Sequence, residues 1–126
     1  MKQFRFLDWR IYKEAKALFL KILKIVDQLP RQYRYDLGSQ ILRSTLSVSL
    51  NMAEGSGKAS DPELNRYLDI SLGSIYETRA ALDVFLAGSL LKQQEVDELD
   101  QDIASLASQI GGFKKKLVPK KSKGKP

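Results

Sequence analysis

Gln40, Arg43, Ser47, Asn51 and Glu54 are spaced 3, 4, 4 and 3 residues apart, which on a helix places them along one line. Ser74 and Glu77 form a second polar pair one helical turn apart. A guanidinium, carboxylates, amides and hydroxyls so arranged could carry acid–base chemistry or hold a polar ligand. The chemistry open to them is narrow. The chain contains no histidine and no cysteine, which excludes an imidazole base, a thiolate nucleophile, a disulfide frame and an ordinary zinc site. Catalysis by Glu54 or Glu77 alone would need strongly shifted pKa values, and nothing in the pattern supplies a cause for them. The acidic run "EVDELDQD" lacks the glycine and loop spacing of a calcium site and reads as a solvated helix face. The expectation is a protein that is not an enzyme, with no cofactor and no metal.

The elements that must position these residues follow from hydrophobic period. Ile11, Ala15, Leu18, Ile22, Ile25 and Leu29 recur at spacings of 4, 3, 4, 3 and 4, an amphipathic helix with Asp8 as its expected N-cap and Pro30 as its end. The stretch "PRQYRYD" reads as a link to a second helix over about 36–54. There, Leu37, Ile41, Val48 and Met52 form one apolar face and Leu42, Leu46, Leu50 and Ala53 another, so this helix is expected to be the most buried. "EGSGKASDPE" reads as a turn, with Gly55 or Gly57 in the left-handed conformation and Ser60 with Glu63 at capping-box spacing. A third helix runs from Asp61 or Pro62 to Ala87, and Gly88 stops it. A fourth begins near Gln93, with Val96, Leu99, Ile103, Leu106, Ile110, Phe113 and Leu117 alternating at 3 and 4. Gly111 and Gly112 weaken it by about 1 kcal/mol each relative to Ala, and Pro119 ends it. Four helices with short links and no strand pattern predict an all-α, antiparallel up-and-down four-helix bundle over residues 1–117. Residues 118–126 are expected to form a disordered, lysine-rich tail.

Turning the chain near Lys58 sets Arg43 opposite Gly73–Glu77, which predicts an Arg43–Glu77 ion pair. It also brings Glu54 to the backbone N–H groups at the start of the third helix. The structural reading is a buried polar network of Gln40, Arg43, Ser47, Asn51, Glu54, Ser74 and Glu77 that fixes how the two central helices pair. A ligand site or a catalytic site built from the same residues are the alternatives.

Charge is unevenly placed. The net charge is +6, from 21 Lys and Arg against 15 Asp and Glu. Lys114, Lys115, Lys116, Lys120, Lys121, Lys123 and Lys125 occur at the C-terminus with no acid among them, so the rest of the chain is near neutral. Such a segment reads as a nucleic-acid-binding arm giving salt-sensitive, sequence-independent affinity for RNA or DNA, or as a solubilising end. No apolar run approaches the roughly 20 residues that span a bilayer, the start does not read as a signal peptide, and the expected location is cytoplasmic, with no membrane role. The basic first helix and the acidic fourth suggest head-to-tail assembly into a homo-oligomer. Trp9, Phe4, Phe6, Tyr33 and Tyr35 could stack on bases, but core or interface packing is the preferred reading.

"QILRSTLSVSLNMAEGSGK" resembles the signature Q-I-R-R-A-A-x-S-I-x-x-N-I-A-E-G of the bacterial four-helix bundle proteins known as 23S rRNA intervening-sequence proteins. Gln40, Ile41, Arg43, Ser47, Asn51, Ala53, Glu54 and Gly55 match it. "LGSIYE" is similar to the family's G-S-L-x-E, and "FRFLDWRIYKEA" to its opening aromatic followed by L-x-x-W. Leu42 stands where the first Arg of the pair belongs, and Ser49 where a Pro is common; the lost Arg weakens any grip on phosphate through paired arginines. The resemblance implies a four-helix bundle that assembles into a ring-shaped pentamer. It extends to the accessory variability determinants of diversity-generating retroelements, basic pentamers that partner a reverse transcriptase and its RNA. On this footing the leading expectation is an accessory nucleic-acid-binding, RNA-binding bundle that serves an RNA or a reverse transcriptase. The competing class is a structural or protein-interaction oligomer with no nucleic-acid role.

Overall fold

The computed structural model describes residues 3–117. A short 3-10 turn, Arg5–Asp8, precedes four helices: α1 (Arg10–Gln28), α2 (Arg31–Ser56), α3 (Asp61–Ala87) and α4 (Gln93–Leu117). Paired residues descend α2 as they ascend α3 (Thr45 with Thr78, Ser47 with Ser74, Val48 with Ser71). The α1–α4 and α3–α4 contacts behave alike, through Glu14 with Gln109, Lys21 with Asp102, Asp69 with Lys114 and Arg79 with Asp100. The chain is therefore an all-α, up-and-down four-helix bundle, and its most extensive helix pair is α2–α3. The core is a continuous column that includes Leu18, Ile22, Ile41, Met52, Leu68 and Leu106. The disorder expected of 118–126, and the stop at Pro119, concern positions outside the described residues.

Several boundaries differ from expectation, each for a local reason. "PRQYRYD" is helix rather than link: Pro30 takes φ −53° and ψ 142° just before α2, and Arg and Gln after it are good helix formers. Asp8 lies in the 3-10 turn, and the α1 N-cap position is Trp9 without a side-chain cap. Ser60 does cap α3, its hydroxyl accepting from the Glu63 N–H at 3.3 Å. The Glu63 carboxylate returns to the Ser60 hydroxyl instead of its N–H, so half of the capping box is made. Neither Gly55 nor Gly57 is left-handed: Gly55 lies inside α2, and Gly57 ends it at φ −88°. The left-handed residue is Ser89, at φ 61°. Behind it the Leu90 N–H reaches the Phe85 carbonyl and the Ser89 N–H the Leu86 carbonyl, the pattern of a Schellman motif.

Gly55 is needed for another reason. A Cβ there would stand 2.7 Å from Tyr67 Cβ and 2.9 Å from Leu64 Cδ1, so α3 crosses directly against bare α2 backbone. Gly38 does the same for α1, with Val26 Cγ1 2.6 Å from its would-be Cβ. α2 is thus clamped at one end by α1 and at the other by α3. It is not, however, buried all round. Ile41, Val48 and Met52 are fully enclosed, but Leu46 and Leu50 are 42% and 56% exposed, because among the described residues no element covers the second apolar face.

Candidate functional site

The polar centre of the molecule is a seam of hydroxyls between α2 and α3. Thr78 Oγ1 lies 3.0 Å from Ser44 Oγ and 3.2 Å from Thr45 Oγ1. Thr78 donates back to the Ser74 carbonyl at 2.9 Å and so accepts from its neighbours, while the single proton of Thr45 lies within reach of both Thr78 Oγ1 and the Ile41 carbonyl, the latter at 2.7 Å; such turn-back contacts let a hydroxyl sit inside a helix pair without an orphan proton. Ser71 donates to the Val48 carbonyl at 2.9 Å. Nearer the surface Ser74 donates to Ser47 Oγ, and Asn51 Nδ2 donates to both Ser47 Oγ and the Ser47 carbonyl. Among the described residues no buried side-chain polar atom lacks a partner. Small side chains on both helices permit the close approach, and the hydroxyls are satisfied across it.

This arrangement joins Ser47, Asn51 and Ser74. Gln40, Arg43, Glu54 and Glu77 are exposed, and Arg43 and Glu77 form no ion pair. The Ser47–Ser74 and Val48–Ser71 contacts set Arg43 level with Glu77, yet both side chains are exposed, where an ion pair gains little over solvation. Glu54 accepts from the Tyr67 hydroxyl at 3.1 Å instead of from the first N–H groups of α3. The missed members of the seam are Ser44, Thr45, Ser71 and Thr78. Their signal was present: Ser71, Ser74 and Thr78 recur at 3 and 4 on the same side as core leucines. Among the described residues no carboxylate bonds a seam hydroxyl, and no group of three Asp or Glu side chains is placed to hold a metal ion.

The acids of α4 are engaged within the chain. Arg79 takes both oxygens of Asp100, Lys21 pairs with Asp102, and Glu95 accepts from the Lys92 N–H at 2.9 Å. The basic α1 and the acidic α4 that suggested contact between neighbouring copies therefore face each other in one copy.

At the far end of α4 the lysines separate. Lys114 is mostly buried, 2.5 Å from Asp69 Oδ1 and 3.0 Å from Asn65 Oδ1, and fastens α4 to α3. Lys115 and Lys116 are exposed. Lys120, Lys121, Lys123 and Lys125 lie outside the described residues. Nearby, Trp9 packs on Phe113 at 4.7 Å and Phe6 on Tyr12 at 5.0 Å, while Arg5 lies over Trp9 and both Lys58 and Arg66 over Tyr67. Tyr33 and Tyr35 are exposed at the start of α2, and Phe4 is exposed before the 3-10 turn. No helix among the described residues is long and apolar enough to cross a membrane.

Comparison with known proteins adds the following. The model of the family described as 23S rRNA-intervening sequence protein matches residues 7–112. The fold is similar to the crystal structure of a protein of unknown function from the S23 ribosomal protein family of Bacteroides thetaiotaomicron VPI-5482. The TM-score is 0.76 at 19% identity, covering 83% of this chain and 98% of that one. No curated protein matches the sequence.

Proposed function

The chain belongs to the 23S rRNA-intervening sequence protein family, and from that premise we propose that it is a non-enzymatic accessory protein that binds RNA or DNA through its C-terminal lysines. The observation that carries this reading is the block of lysines from Lys114 to Lys125 without a single acid. It is supported by the division of labour at its start, where Lys114 is spent on Asp69 while Lys115 and Lys116 are free to meet phosphates. A ring of copies, five by the family resemblance, would gather several such arms and raise avidity without any new contact. The resemblance to accessory variability determinants makes a reverse transcriptase and its RNA the partners to test first, by pull-down with and without nuclease.

Removing residues 118–126 tests the reading. It deletes Lys120, Lys121, Lys123 and Lys125, so affinity for single-stranded RNA should fall and the slope of log K against log salt should shrink by about 3. Unchanged affinity and slope refute it. A second reading, a protein-interaction oligomer with no nucleic-acid role, is favoured by the exposed leucines of α1 and α2. It predicts a salt-insensitive partner and no RNA retention.

A further inference from the structure

Leu20, Leu46 and Leu50 are 58%, 42% and 56% exposed and line one groove between α1 and α2, with Phe19, Tyr12 and Lys16. This is the second apolar face of α2, uncovered by any element among the described residues. A contiguous group of large aliphatic side chains at the surface marks a docking site. Its rim is basic: Lys16 lines it, and Arg43 stands one and two turns before Leu46 and Leu50.

A surface of the opposite shape and charge runs along α3. Ile70, Gly73, Glu77, Ala80 and Val84 are spaced 3, 4, 3 and 4 and are all exposed. Gly73 lies in the middle of a 27-residue helix, where glycine is unfavourable, yet a Cβ there would meet nothing within 4 Å. Unlike Gly38 and Gly55, it is demanded by no contact among the described residues. Gly73 and Ala80 leave shallow gaps on either side of the Glu77 carboxylate, and Ile70 and Val84 close the stripe.

We infer that the α1–α2 leucine groove of one copy packs on the α3 stripe of a second copy, its leucines seating over the low surface at Gly73 and Ala80, and Arg43 and Lys16 meeting Glu77. The inference rests on the assembly proposed above and assigns its surface. The contact is heterologous, so each copy offers one groove and one stripe, and copies add head to tail until the ring closes. A symmetric groove-to-groove contact would set like charges together. Glu77 supplies the acid that α4, with its carboxylates engaged in the chain, does not.

The test uses the full chain and two variants, each damaged on one side only. Leu46→Glu/Leu50→Glu alters two exposed positions in the groove. Gly73→Arg fills open space on the stripe and is compatible with α3. Circular dichroism checks that both keep wild-type helicity, and light scattering with size exclusion reads mass at tens of micromolar. The expected result is an oligomeric wild type, two monomeric variants, and a one-to-one heterodimer when the variants are mixed, since one retains a stripe and the other a groove. A monomeric wild type overturns this inference together with the proposed assembly. An oligomeric wild type whose variants keep its mass overturns the surface alone and leaves assembly standing. Monomeric variants that do not recombine overturn the head-to-tail pairing. RNA retention by the monomeric variants tests the lysine arm separately.

Discussion

Gly55→Ala adds one methyl group where α2 and α3 touch. The new Cβ would lie 2.7 Å from Tyr67 Cβ and 2.9 Å from Leu64 Cδ1, against an ordinary carbon–carbon separation of about 3.5–4.0 Å. Leu64 can swing its terminal methyl aside. Tyr67 Cβ is bonded to the α3 backbone and cannot, so the helix must retreat by about 1 Å. Overpacking of this kind costs about 1–3 kcal/mol, and the gain in helix propensity on replacing glycine offsets about 1 kcal/mol of it. A net destabilisation of up to about 2 kcal/mol remains. Gly112→Ala is the control: it is also helical, and its Cβ would meet nothing within 4 Å, so only the propensity gain of up to about 1 kcal/mol applies. Urea titrations followed by far-UV circular dichroism, at one protein concentration, should separate the two midpoints by roughly 1 M for a slope of about 2 kcal/mol per molar. Coincident midpoints, or a higher midpoint for Gly55→Ala, would refute the close crossing.

Three further outcomes follow from the same structure. Thr45→Val and Thr78→Val should each cost about 1 kcal/mol in urea denaturation, and the double variant less than their sum by at least about 0.5 kcal/mol, because one shared contact is lost only once; strict additivity would show that the hydroxyls do not interact. Ser89→Gly should raise the midpoint, by about 0.5–1 kcal/mol, since glycine takes φ 61° without the side-chain penalty; a loss of stability would show that the serine side chain is needed there. Arg43→Met and Glu77→Gln should each lie within about 0.5 kcal/mol of wild type, and be additive when the chain is held monomeric; a coupling above that size would restore the ion pair that the geometry lacks.

Most of the fold was legible because its signals are repetitive. Five apolar positions in α1, with Leu29 just past its end, and seven in α4 keep the helical period, and period is what decides which face is buried. Ser60 and Gly88 marked ends correctly for local reasons. The errors cluster where the deciding contact is distant in sequence. Nothing near Gly55 reveals that Tyr67 will press on it, so a glycine next to a turn was read as a left-handed cap. Leu46 and Leu50 were read as buried because hydrophobicity reports a preference for cover without reporting whether cover exists. In the polar line, charge was taken as the mark of importance. The seam instead recruited Thr45, Ser71 and Thr78, whose short side chains fit between close helices, and left Arg43 and Glu77 to water, where long charged side chains are cheaper to keep. Lys114 was grouped with the arm by sequence adjacency, although Asp69 and Asn65 claim it.

The hydroxyl seam also sets what the molecule can sense. The buried polar side chains among the described residues are Thr45, Ser49, Ser71, Ser74 and Thr78, and hydroxyls of this kind neither gain nor lose a proton in the physiological range. The chain has no histidine and no thiol. The register of α2 against α3 is therefore written in groups that are blind to acidity and to redox poise, and the bundle acts as an unswitched frame. Any response to its surroundings falls to the exposed charges, whose contacts weaken as salt rises. The ion pairs that fasten α4 to α1 and α3 are the part of the frame that added salt reaches.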